Sequence, residues 1–492
     1  MTMIRTLFFI LLTFLSTNLF AQELLWQKPI KLSSGVNDKR EAYALENKEK
    51  GELLVFLMDN QSIYLSVLDE EVNTVNEFII DRPLKKYTTL LGGCIEGNDY
   101  TLFFLEDRKT SLCIVTINAE ANTSKISEMP YQMPKETFLE AFTYNNEMFL
   151  LNIEHKSSRV KVYNLTKKGF QSFDVVDFED QLKTMGQEKD LSRLLESNKS
   201  LLRLTLSPKI KKVDNHMPNS IEVVGAEHKL YVEDSKVWIT LDHEEAKTII
   251  LSFDLNEYVP RGTQVFHRGI TAMNPLALES NSFYQQGKLY QVVVSSDEMC
   301  LSVTDLVKGV RLKEHRVKKD DEISFKNSPL VQEGGSTIFS QGSKRELTKT
   351  RKILRKMVDS KPGVSVYPMD NYLEVTIGSY KEMKGNAPMM GGFGPGIPAG
   401  NFFYSASFSF SVNYTMTKAT YFKSIFEKES FEHINGNIQM NAFDKAKEFT
   451  DKYGDQVSKA QTIFRWNDYY LLGYYMNGTY DFRKFTDSPQ VN

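Results

Sequence analysis

Residues 98–106 read NDYTLFFLE and residues 146–154 read NEMFLLNIE. At an offset of 48 the two match as a polar turn, an apolar strand and a closing glutamate. The same offset carries Ile114 onto Val162 and Ile117 onto Leu165. An earlier copy begins at Glu52, with Leu53–Met58, a turn at Asp59-Asn60 and Ile63–Leu68. Later copies are Val237–Leu241 with Thr248–Phe253, Leu289–Val294 with Met299–Val303, Tyr372–Ile377, and Tyr469–Tyr475 behind Asn467-Asp468. Starts therefore fall near residues 52, 99, 147, 236, 288, 372 and 468. The turn pairs Asn-Asp, Asn-Glu, Asp-Asn and Gly-Lys tolerate the backbone angles of tight hairpins. A single such hairpin cannot bury its own apolar face, so copies must stack.

A spacing of 47 to 52 residues suits four short strands and resembles one blade of a β-propeller. The resemblance runs over residues 24–484 and predicts an all-β propeller of six to eight blades, seven preferred. Stacked β-sandwiches are the alternative. The sequence has neither the Gly-His and Trp-Asp pairs of WD40 repeats nor the Ser-x-Asp-x-Gly box of sialidases, so the resemblance implies an architecture and no activity. The last blade needs a closing strand, and Leu24–Lys31 is the candidate. Helical composition interrupts the repeats near 178–198, with Leu191, Leu194 and Leu195 on one face, near 344–358, and at Phe443–Tyr453.

Met1–Ala21 carries Arg5, the apolar run Leu7–Leu15 and then smaller polar residues up to Ala21, the order of a secretory signal. Its apolar core is too short to span a bilayer, which takes roughly 20 residues. The expected organisation is thus a signal peptide at 1–21 and a propeller-like domain at 22–492, exported to the periplasm or the cell surface without a transmembrane segment. Sixty basic against 63 acidic residues, a net charge of −3, remove any global electrostatic case for nucleic acid.

Three cysteines, Cys94, Cys113 and Cys300, make no disulfide framework. Cys94 and Cys113 fall on the first and third strands of one repeat and read as small buried apolar residues. His243-Glu244-Glu245 lacks the second histidine of a zinc-protease helix, since Lys247 stands at that position, and reads as a solvated hairpin tip. No catalytic set, cofactor site or metal site stands out. The segment Lys344–Lys356 holds seven cations and one anion, Glu346, and suits an anionic lipid or an acidic partner if it is more than a solvated helix flank.

The unusual stretch is 385–416. Residues 385–400 read GNAPMMGGFGPGIPAG, a composition that excludes helix or regular strand and predicts a long loop. From Phe402 to Met416 apolar and polar residues alternate, which predicts a strand of about 50 Å pairing with Tyr372–Ser379. Met389, Met390, Phe393, Ile397, Phe402 and Tyr404 are the candidate partner-binding residues, because adaptable apolar side chains in an uncharged segment suit a contact surface. The expected function is an exported, non-catalytic binding or scaffold protein of the cell envelope with a protein partner. The alternative is a secreted glycan hydrolase or lyase, or a sugar-binding propeller, which two carboxylates converging with a histidine or metal would favour.

Overall fold

The computed structural model describes residues 23–33, 40–196, 210–267, 278–334, 344–382, 417–453 and 459–488. They form thirty strands. After β1 (Glu23–Pro29) comes a first sheet of β2 (Glu41–Asn47), β3 (Glu52–Met58), β4 (Ser62–Leu68) and β5 (Thr74–Asp81). The second has β6 (Tyr87–Glu96), β7 (Asp99–Glu106), β8 (Ser111–Asn118) and β9 (Thr123–Pro130). The third has β10 (Glu136–Tyr144), β11 (Glu147–Glu154), β12 (Arg159–Thr166) and β13 (Gly169–Asp177). The fourth has β14 (Lys211–Lys212), β15 (His228–Glu233), β16 (Lys236–Glu244), β17 (Lys247–Asp254) and β18 (Arg261–Phe266). The fifth has β19 (Glu279–Gln285), β20 (Lys288–Val294), β21 (Glu298–Asp305) and β22 (Val310–Lys318). The sixth combines β23 (Leu330–Gly334), β24 (Arg345–Leu347), β25 (Lys361–Pro368), β26 (Tyr372–Glu382) and β27 (Thr417–Glu427) in the order β24-β23-β27-β26-β25. The seventh is β28 (Lys459–Trp466), β29 (Tyr469–Met476) and β30 (Thr479–Phe485), with β1 antiparallel to β30 as its fourth strand.

The chain is therefore all-β, a propeller-type series of four- and five-stranded, mainly antiparallel sheets with few helices. Among the described residues every strand pairing is antiparallel except the short β14–β15 contact. Each of the seven repeat starts opens an interior strand of a sheet: β3, β7, β11, β16, β20, β26 and β29. The N-terminal strand closes the seventh sheet from the position the sequence indicated.

The described residues divide into two compact units, one holding β1–β9 and β28–β30, the other β10–β27. In the first, one core joins the seventh sheet to the first through Trp26, Leu53, Val55, Leu57, Leu471 and Phe482. A second core joins the first sheet to the second through Phe56, Leu65, Leu102, Phe104 and Val115. In the other unit, a core joins the third and fourth sheets through Leu151, Val162, Ile239 and Leu251. Another joins the fourth, fifth and sixth through Tyr231, Phe283, Val292, Val364 and Val375.

This stacking explains which strands were legible. A second strand is covered on both faces, so β3 is buried from Leu53 to Met58 and its sequence is a continuous apolar run. Fourth strands such as β9 are mostly exposed and read as polar. Truncating Phe104, which is fully buried, should cost about 3–5 kcal/mol. Lateral ties recur with the repeat: Tyr100 OH donates to Glu52 Oε2 at 3.1 Å and Lys50 Nζ to Asn98 Oδ1 at 2.7 Å, each across 48 positions. The tight turns use positive φ, at Asn145 and Asn146 (48° and 64°) and at Asn477 and Gly478 (51° and 85°).

The interruptions differ in detail from their sequence reading. The 178–198 segment contains two short helices, α1 (Glu179–Thr184) and α2 (Leu191–Leu194), and Leu191, Leu194 and Leu195 are buried as expected. After α3 (Ile221–Val224), the 344–358 segment is strand β24 followed by α4 (Thr350–Val358), because only the second half carries the Ile353, Leu354 and Met357 stripe that packs inward. α5 (Ala442–Tyr453) matches its expected position. The strand β26 pairs with β27 rather than with 402–416, in a register that sets Glu382 opposite Thr417. The 34 intervening residues, 383–416, lie outside the described residues, as do 1–22.

Candidate functional site

A connected group of buried polar side chains lies in the unit of β10–β27. Lys229 on β15 donates from Nζ to Ala226 O at 2.8 Å, to Asp242 Oδ2 at 2.7 Å and to Asn281 Oδ1 at 2.7 Å. Burial lowers the Lys229 amine, but Asp242 opposes that shift and three acceptors, one for each ammonium proton, favour the charged form of this fully buried side chain. A register shift between Leu241 and Glu244 in the β16–β17 pairing accompanies the inward setting of Asp242. Asp242 Oδ1 accepts from Thr248 Oγ1 at 2.7 Å, and Oδ2 also accepts from Ser282 Oγ at 2.9 Å. Burial works to raise the Asp242 carboxyl, but Lys229 and Thr248 outweigh it and hold the group below its ordinary range. Gln291 Nε2 donates to Thr248 Oγ1 at 3.1 Å and extends the network to β20. With both carboxylate oxygens and the ammonium fully engaged, the arrangement is a polar lock rather than an available base.

Histidines surround the lock. Neither ring nitrogen of His228 meets hydrogen-bond geometry, although the Leu194 backbone lies near enough to oppose its shift. Burial, helped by the adjacent His243 and Lys229, pulls His228 down to about 3. The His228 and His243 rings are 6.1 Å apart, and His243 Nε2 lies 3.3 Å from Gln187 Oε1. Burial also lowers His243 and His267. The solvated hairpin tip read from the sequence is narrower than expected. Glu245 and Ala246 form the exposed turn, whereas His243 and Glu244 belong to β16 and are half-buried. Among the described residues no group of three or more His, Cys, Asp or Glu side chains is arranged to hold a metal ion.

A second cluster lies where β10 and β14 bring Glu140, Lys211 and Lys212 into electrostatic range. Glu140 follows a register shift after Phe138, and its Oε1 accepts from the neighbouring Ala141 N–H at 3.0 Å. Burial, partly offset by Lys212 and Lys211, pushes Glu140 up to about 7. Lys212 is partly open to solvent yet densely surrounded by protein, and burial lowers its amine. Glu140 can exchange a proton near neutrality. Its charged neighbours are lysines, not the second carboxylate that glycoside hydrolysis employs.

Cys94, Cys113 and Cys300 are buried and stand outside any disulfide, and burial pushes the Cys113 and Cys300 thiols up to about 12. Met389, Met390, Phe393, Ile397, Phe402 and Tyr404 lie outside the described residues. The sequence reading missed the lock because a lone Lys229 or Asp242 looks like a residue beside a turn. The available signal was a lysine inside the short strand HKLYVE.

No protein family and no curated protein matches the sequence. Among solved structures, a prolyl endopeptidase is similar at 8% identity and a TM-score of 0.30, over 72% of this chain and 48% of that one. The apocarotenoid oxygenase of Synechocystis is similar at 7% identity and 0.29, over 63% and 64%. Prolyl oligopeptidase B from Galerina marginata stands at 8% and 0.26, over 54% and 33%. The chain thus spans about half the length of the prolyl endopeptidase it matches. The fold assignment rests on the sheets themselves.

Proposed function

We propose that this chain is an exported, non-catalytic binding or scaffold protein of the cell envelope, using a propeller to present loops and a long hairpin insertion to a protein partner. The observation that carries the reading is the register of β26 and β27. Paired residues Glu382 and Thr417 bracket 34 residues whose single charge is Lys384. A methionine- and aromatic-rich insertion of this length with one charge suits contact with a partner better than isolated exposure to water. The lock around Asp242 supports the non-catalytic part, since its ionic groups serve one another.

Two measurements test the proposal. N-terminal sequencing of protein recovered from the envelope should start at Gln22, and retention of Met1 would count against export. Deleting Met389–Pro398 and bridging the gap with a short turn should leave Tm within a few degrees while abolishing cross-links to an envelope protein. A large fall in Tm would place the segment in the core and end the recruitment reading.

A further inference from the structure

The sixth sheet ends in a concentration of like charge that the described fold offsets only in part, through Asp359. Ser379 Oγ on β26 lies 3.4 Å from Lys356 O on α4, so this face of β26 meets the C-terminal end of that helix. Strand alternation puts Lys381 on the same face. The register sets Lys418 of β27 directly opposite Lys381, and Thr420 opposite Ser379. One row further across, Gln332 Nε2 donates to Thr420 Oγ1 at 3.3 Å, and Arg345 Nε donates to Gln332 Oε1 at 2.7 Å. Arg345, Lys356, Lys381 and Lys418 thereby converge from four elements on one end of one sheet face.

Their mutual repulsion is visible at Lys356, whose amine is lowered by burial and then by Lys418, Arg345 and Lys381, against Asp359. Among the described residues no ion pair joins Lys356, Lys381 or Lys418 to a carboxylate. The nearby Glu333 is engaged by Tyr421 OH at 2.6 Å and Lys344 Nζ at 3.6 Å. Like charges directly opposite one another across strands are destabilising, so the arrangement costs stability in the free protein.

We propose that this end of the sixth sheet, built on Arg345, Lys356, Lys381 and Lys418, docks on the phosphate headgroups of an anionic lipid surface. Charge complementarity supplies the anion. The choice of a lipid surface comes from the neighbouring sequence: Lys381 and Lys418 flank the segment 383–416, which is apolar and aromatic with one charge. Cations bordering an apolar, aromatic segment are the composition of membrane-interface elements. Lysine ammonium groups are hydrated point charges, suited to mobile headgroups rather than to one fixed bidentate ligand. This inference does not rest on the protein-partner reading.

Co-sedimentation of the mature chain tests it, using phosphatidylcholine vesicles with and without about one third phosphatidylglycerol. The chain should sediment with the anionic vesicles at low salt, be released by high salt, and leave the neutral vesicles unbound. The Lys381→Gln/Lys418→Gln variant should bind about 25-fold more weakly, from about fivefold per lysine near the surface. Its Tm should equal or exceed that of the parent, because repulsion is relieved, and that readout separates a lost contact from a damaged fold. Lys236→Gln/Lys308→Gln, on exposed lysines elsewhere, should bind as the parent does. Equal sedimentation with both vesicle types, or unchanged binding by the Lys381/Lys418 variant, would overturn the proposal. Binding of inorganic pyrophosphate without vesicle sedimentation would also overturn it, in favour of a soluble phosphate ligand.

Discussion

The two units are built from the same kind of sheet, yet they bury different chemistry. All seven histidines lie in the unit of β10–β27, and the unit of β1–β9 with β28–β30 has none. The first unit's buried polar contacts are typified by Tyr100 OH to Glu52 and by the 2.7 Å contact between Tyr87 OH and Ser111 Oγ. The second holds the Lys229–Asp242 pair with both side chains fully buried. Stacked sheets need their facing surfaces filled, and either aromatic packing or a fully satisfied polar network does that. The two solutions respond differently to mutation and to pH.

The largest expected effect is at the ion pair. Asp242→Ala strands a buried ammonium and should cost about 3–5 kcal/mol. Lys229→Met/Asp242→Leu should recover most of that loss. Urea unfolding followed by fluorescence separates the units, because Trp238 reports on the second while Trp26 and Trp466 report on the first. A cost under about 1 kcal/mol for Asp242→Ala would show that water reaches the pair and that the contrast between the units is overstated.

Acid should expose the same contrast less strongly. His228 has a folded pKa of about 3 against about 6.5 unfolded, so the unfolded chain binds the extra proton between those values. Stability is fully present above pH 6.5 and is lost as pH falls towards 3, by about 2 kcal/mol at pH 5 from this residue alone. Burial shifts His243, His267, His315 and His433 in the same direction. Trp238 fluorescence should therefore report a lower Tm at pH 5 than at pH 7.5, and His228→Leu should flatten the dependence. A Tm equally pH-dependent at Trp26 and Trp466 would contradict the assignment of the effect to the histidines.

Tyr100→Phe, in the first unit, removes one hydrogen bond and should cost about 1 kcal/mol with little dependence on pH between 5 and 7.5. The smallest effects test where the units are alike. Asn146→Gly in one and Asn477→Gly in the other should each change stability by less than about 0.5 kcal/mol, whereas alanine at either position should cost about 1 kcal/mol. Unequal costs in thermal melts would show that these turns do not share one chemistry.

The repeat was legible because its second strands are buried on both faces, and β7 and β11 therefore resemble each other in sequence. The sixth sheet was harder to read. β23 and β24 precede α4, whereas β27, which pairs with β23, follows the long insertion, so chain proximity wrongly favoured 402–416 as the partner of β26. The cations at 344–356 were visible as a run, but two of their companions, Lys381 and Lys418, were not. Only the register brings those onto the same face.

Sequence alone determined the hairpins, their spacing, their turns and the closing N-terminal strand. Those features depend on positive φ at a few residues, on period-two alternation and on continuous apolar runs, all properties of a short stretch of chain. Tertiary structure decided which polar groups meet. Lys229 finds Asn281 across 52 positions, and Gln332 finds Thr420 across 88. Such contacts depend on the relative placement of stacked sheets and on the pairing of distant strands, and neither leaves a local periodic trace in the residues that make them.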